Sequence, residues 1–155
     1  MKAKSIKGNS GEEIKNALQQ SMVDGFKPTL AIVFLSIKQN RDAICAILDK
    51  GGIAIYGVTT HGEFIDEDLG KGSVAILLLD MDPSYFTILF AEYPEKNYRE
   101  VAKAVAQNAH KLFSNPAFLI AGSRQRFLDA VTYRIERRMF DDGGDRNRHV
   151  IRTCG

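Results

Sequence analysis

The side chains best suited to chemistry gather in Tyr56-Gly-Val-Thr-Thr-His-Gly-Glu-Phe64. Thr59 and Thr60 offer hydroxyls, His61 an imidazole and Glu63 a carboxylate. Gly57 permits close approach of another backbone, and Gly62 permits a positive φ. Upstream, Ser36 closes an apolar run, and Asn40-Arg41 has the make-up of a helix start. Unpaired amides and the positive end of a helix dipole suit a carboxylate or phosphate. Glu63 can in turn receive an ammonium group. The candidate ligand-binding set is therefore Ser36, Asn40, Arg41, Thr59, Thr60, His61, Gly62 and Glu63. An amino acid, or a similar small zwitterion or anion, fits it better than a nucleotide, for which phosphate-loop glycines and stacking aromatics are lacking. On its own chemistry the segment reads equally as a polar loop that satisfies its own backbone.

Catalytic patterns are sparse. His61, His110 and His149 are far apart, and neither Cys-x-x-Cys nor His-Glu-x-x-His occurs, so no metal ligand set is expected. Cys45 lies beside a helical apolar stripe and reads as an inert buried thiol. No Gly-Lys-Ser/Thr follows Gly8-Asn-Ser-Gly11, which excludes a phosphate loop. His61 with Glu63 is a weak acid–base pair. The expectation is a binding domain, not an enzyme.

The elements that must position these residues alternate. Ser10-Gly-Glu-Glu13 has capping-box spacing, and Ile14, Ala17, Leu18 and Met22 share a helical face until Gly25 and Pro28, giving a helix over 10–24. Thr29 to Ser36 is a continuous apolar run, suited to a strand covered on both faces. A helix over 41–50, with Ala43, Ile44, Ile47 and Leu48 apolar, ends at Gly51-Gly52 before a second strand over 53–58. Strand, helix and strand at this spacing predict a parallel crossover. Ser73 to Asp80 and Tyr85 to Glu92 are joined so briefly that they predict an antiparallel pair. A helix over 98–113 and a fifth strand over 117–121 follow; Phe127, Leu128, Val131, Ile135 and Met139 keep a helical rhythm. The expected fold is α/β: a mixed, mainly parallel sheet with an antiparallel strand pair, flanked by helices. One domain is expected over 1–140, and 141–155 reads as a loop or disordered tail. The helical face from Tyr98 to Phe113 and the arginine-rich last helix offer docking surfaces, though such faces usually pack on a sheet.

In this order of elements the chain resembles the FIST N-terminal domain of F-box and intracellular signal-transduction proteins. Thr29 to Ser36, the Gly-x-Thr-Thr-x-Gly-Glu core from Gly57 to Glu63, and Gly70 to Leu79 carry the likeness, which covers about residues 10–123. The resemblance implies a sensory domain for small ligands such as amino acids, coupled to a signalling partner protein or to the C-terminal half of the family architecture. His61 stands where the family more often has a small residue, and Asp142-Gly-Gly-Asp145 only faintly echoes the family's later Gly-Gly-x-x-Gly-Asp stretch. The family reading also admits a haem-binding gas sensor, with His61 as the axial ligand.

Composition bounds the rest. The chain has 155 residues, 45% hydrophobic and 26% charged, enough for a real core and unlike a disordered protein. A net charge of +2 does not announce a nucleic-acid binder. Arg124, Arg126, Arg134, Arg137 and Arg138 are interleaved with acids such as Asp129 and Glu136, as on a solvated face. Cys45 and Cys154 form no disulfide framework, the amino terminus lacks an apolar signal core, and no apolar run spans a bilayer; the expected compartment is the cytoplasm, with no membrane partner.

Overall fold

A computed structural model describes residues 1–60, 63–65, 68–70, 72–92 and 98–121. The elements are β1 (Lys2–Gly8), α1 (Gly11–Ser21), β2 (Leu30–Ser36), α2 (Arg41–Lys50), β3 (Ala54–Thr60), β4 (Glu63–Ile65), β5 (Asp68–Gly70), β6 (Val74–Asp80) and α3 (Tyr98–Leu112). The chain divides into two compact units, one from Met1 to Ser84 and one from Tyr85 onward.

The first unit is built on a four-stranded sheet of order β1-β6-β2-β3. β2 and β3 are parallel, and β6 runs antiparallel to both β1 and β2. β1, β2 and β3 therefore point the same way, and each next one lies further across the sheet. With α1 and α2 on one face, the two crossovers have the same hand, as chirality favours.

Alternation along the strands assigns the core. Ala31, Val33 and Leu35 of β2, Val74, Ile76 and Leu78 of β6, and Ile6 of β1 pack with Ile14 and Leu18 of α1 and Ile44 and Leu48 of α2. On the opposite face Leu30, Ile32, Tyr56, Ala75 and Leu79 are buried as well. The continuous apolar run of β2 is thus buried on both sides, with Phe34 the exception at 38% exposed.

The helix ends are set by local chemistry. Ser10 Oγ accepts the Glu13 amide at 3.2 Å, and the Glu13 carboxylate accepts the Asn9 amide at 2.8 Å, one residue before the cap. Asn40 caps α2 by accepting the Ala43 amide at 3.1 Å. At the other end of α2, the amides of Gly52 and Ile53 donate to Asp49 and Leu48, while Gly52 takes φ +67°. This is a Schellman turn, closed by the apolar pair Ile53 and Leu48. α1 stops at Ser21, so Met22 is its exposed cap and not part of its buried stripe.

The mixed α/β class holds, but two of the three pairings in the main sheet are antiparallel, so the sheet is not mainly parallel. The cause is β1, which the sequence did not announce because lysines occupy positions 2, 4 and 7. Charged residues suit an edge strand, where they discourage further pairing, and Ile6 is its one contribution to the core cluster. With β1 on one side of β6 and β2 on the other, no open edge is left for a hairpin return. Residues 85–92 accordingly form no strand: Pro83–Tyr85 makes a 3-10 turn, followed by irregular backbone with one bridge at Ile88. The expected strand over 117–121 is likewise irregular. A small antiparallel hairpin, β4 with β5, was not foreseen and lies against β6, β1 and β2. In the second unit, α3 matches the predicted helix and buries Ala102 and Ala109. The predicted last helix and the tail over 141–155 lie outside the described residues. No helix among the described residues is long and apolar enough to cross a membrane.

Candidate functional site

Because β1, β2 and β3 run together, Gly8, Ser36 and Thr60 end at one edge of the sheet, where β6 begins at Val74. α1 and α2 start from the same edge with their amino ends, capped by Ser10 and Asn40. In open α/β sheets this carboxyl edge is where ligands settle.

The parallel register sets Ser36 beside Thr60, and Leu35 beside Thr59. Ser36 is buried; its amide donates to the Ser73 carbonyl at 3.1 Å, and its Oγ accepts the Lys38 amide at 3.3 Å. Thr59 is exposed. Asn40 is committed to capping α2, and the exposed Arg41 places Nε 3.4 Å from Asp42 Oδ1. Glu63 opens β4 opposite Gly70 and does not lie in a loop; the apolar Phe64 and Ile65 that follow continue the strand pairing. His61 and Gly62 lie outside the described residues. Ser36, Thr59, Thr60, Asn40 and Arg41 are therefore brought to one edge.

The two helix starts differ electrostatically. At α1 the first turn carries Glu12 and Glu13, and the Glu13 carboxylate already occupies the edge amide of Asn9. At α2 a single acid, Asp42, lies in the first turn, and the amides of Arg41 and Asp42 have no acceptor within the helix. The α2 end is the better receiver of an anion.

Sequence reasoning missed Gln39. Its Nε2 donates to the Asn9 carbonyl at 2.9 Å and to the Gly72 carbonyl at 2.7 Å, joining the β1–α1 loop, the β2–α2 loop and the approach to β6. A glutamine before an asparagine cap looks like any solvated loop residue, so only the topology reveals this role.

No group of three or more His, Cys, Asp or Glu that could hold a metal exists among the described residues. Cys45 sits half-buried on α2, and burial pushes its thiol up, with Asp49 adding to the rise and Arg41 opposing it. A thiol so placed is held in its protonated, unreactive form. Compared with known proteins, the chain matches no family model, no curated protein and no solved structure.

Proposed function

We propose that this chain is a non-catalytic sensory domain that binds a small zwitterion or anion, an amino acid foremost, at the carboxyl edge of β2 and β3. The observation that carries this reading is the Ser36–Thr60 register beside the start of α2. A ligand carboxylate would take the Arg41 and Asp42 amides and the hydroxyl of Thr60, and the Glu63 carboxylate would take its ammonium group. The resemblance to the FIST N-terminal domain supports the same assignment; on this reading the protein would act in cytoplasmic signalling, with a partner protein or the family's C-terminal half receiving the signal.

The test is a thermal scan with an amino-acid and small-anion panel, followed by NMR shift mapping of any hit. A ligand at a hundred times its dissociation constant should stabilise the chain by roughly 2.7 kcal/mol. Shifts should centre on Ser36, Asn40 to Asp42 and Thr59 to Glu63, and Thr60→Val and Glu63→Gln should each weaken binding. Shifts confined to α3 would refute the site. A Soret band on adding haemin that vanishes in His61→Ala would put haem in place of the amino acid.

A further inference from the structure

Gln39 links three chain segments at the carboxyl edge. Its Nε2 reaches the Asn9 carbonyl in the turn before α1 and the Gly72 carbonyl just before β6, while Gln39 itself belongs to the turn before α2. Both partners are carbonyl oxygens, so the amide nitrogen must face them, and the orientation of the carboxamide is fixed by chemistry. Beside it the Ser36 amide donates to the Ser73 carbonyl at 3.1 Å and the Gln39 amide to the Ser36 carbonyl at 3.0 Å. Neither of these reaches the β1–α1 turn. The side chain of Gln39 is thus a polar tie between the α1 and α2 amino ends.

We propose that Gln39 is the positioning residue of the carboxyl edge, a clamp that holds the starts of α1, α2 and β6 in one arrangement. The clamp follows from the edge geometry; its service to a ligand rests on the reading of that edge as the binding site. Gly72, one of its two anchors, has φ +86°, a conformation that glycine adopts without strain. The anchor carbonyl is therefore aimed by backbone that few other residues would tolerate, and the clamp and Gly72 form one device.

The experiment is amide hydrogen exchange on the full chain without ligand, comparing Gln39→Ala and Gln39→Glu with the unaltered protein. In Gln39→Ala, exchange at residues 9–11, 36–39 and 72–73 should rise about ten-fold or more, and the centre of β2 should not change, as expected when two hydrogen bonds are lost locally. Gln39→Glu supplies a readout that mere filling of space would not give. When ionised, its carboxylate faces two carbonyls and repels them; when protonated, it regains one donor. Its exchange ratio to the unaltered protein should match or exceed that of the alanine variant at pH 7 and fall back towards one below about pH 4. The charged groups around the clamp are Glu13, whose carboxylate holds the Asn9 amide, and Asp42, Lys38 and Arg41 in the turn and first helical turn of α2. Gln39→Ala keeps all of them and is the reference for any pH effect that is not the clamp's. An unchanged edge in Gln39→Ala, acceleration spread evenly through β2, or a pH-independent Gln39→Glu would overturn the proposal. A confirmed clamp in a protein that binds none of the panel would sink the ligand reading and leave the clamp standing.

Discussion

Two glycines show how differently one residue type can be required. A Cβ on Gly8 would come 2.9 Å from Glu13 Cβ and 3.1 Å from Ile14 Cδ1, where β1 turns into α1. Gly52 has open space around it but a φ of +67°. The first requirement is steric and the second conformational, so substitutions should separate them. Gly8→Ala should cost about 1–3 kcal/mol through overpacking, and Gly8→Asn no less. Gly52→Ala should cost about 1–2 kcal/mol, and Gly52→Asn distinctly less, because asparagine tolerates the left-handed region. Chemical denaturation of the four variants decides this; equal costs for alanine and asparagine at Gly52 would count against it. Asp24 gives a pH effect of known sign. Its hydrogen bond from Lys4, at 2.8 Å, holds its carboxyl below the usual range, with the Phe26 amide adding to the effect. A depressed carboxylate contributes stability above its unfolded value of about 3.9, lost as pH falls through the folded value. Asp24→Asn should therefore lower the melting temperature at pH 7 slightly and leave it unchanged near pH 2.

At the scale of elements, α1 and α2 are held by caps at their starts and by buried leucines on the sheet. Leu48 is fully buried and also closes the Schellman turn through its carbonyl, so Leu48→Ala should cost about 2–5 kcal/mol, measured by denaturant unfolding. Ser10→Ala removes a cap and should cost about 1 kcal/mol. Glu13 shares that network through Asn9, so the double variant with Glu13→Ala should lose less than the two single losses added. Additive losses would show the two bonds to be independent. The helices and the strands β2, β3 and β6 were legible because their periodicities, caps and glycine stops agree with one another. β1 was not, since an edge strand that offers one side chain to the core carries almost no hydrophobic pattern. Residues 85–92 misled for the opposite reason: an apolar run beside a short connection looks like a returning hairpin, and only the prior occupation of both edges of β6 prevents it.

For the molecule as a whole, one of the two interior strands of the main sheet, β6, comes last of its strands in sequence. β6 must find β1 some seventy residues earlier, with Lys2 opposite Asp80 and Gly8 opposite Val74, before the sheet can close. Non-local pairing of this kind places refolding in the range of milliseconds to seconds. Stopped-flow refolding in microseconds would contradict that dependence. Ile76, fully buried between β1 and β2, is the position where substitution should slow folding and not merely speed unfolding. The candidate site depends on the same closure, since Gly72 and Ser73 reach the edge only when β6 is seated.

By itself the sequence determined the local units: two capped helices, the buried strands β2 and β3 with their parallel crossover, and the polar residues that follow each strand. Those features depend on neighbours a few positions apart, and hydrogen-bond capping and side-chain periodicity operate at that range. It also placed Ser36 and Thr59–Thr60 at one edge, because a parallel crossover leaves no other arrangement. Only the tertiary structure decided that β6 lies between β1 and β2, that the sheet is mostly antiparallel, and that Gln39 ties Asn9 to Gly72. Each of these joins residues thirty or more positions apart, and the partner of a strand edge or a side-chain amide is chosen by what else the folded chain has left unpaired.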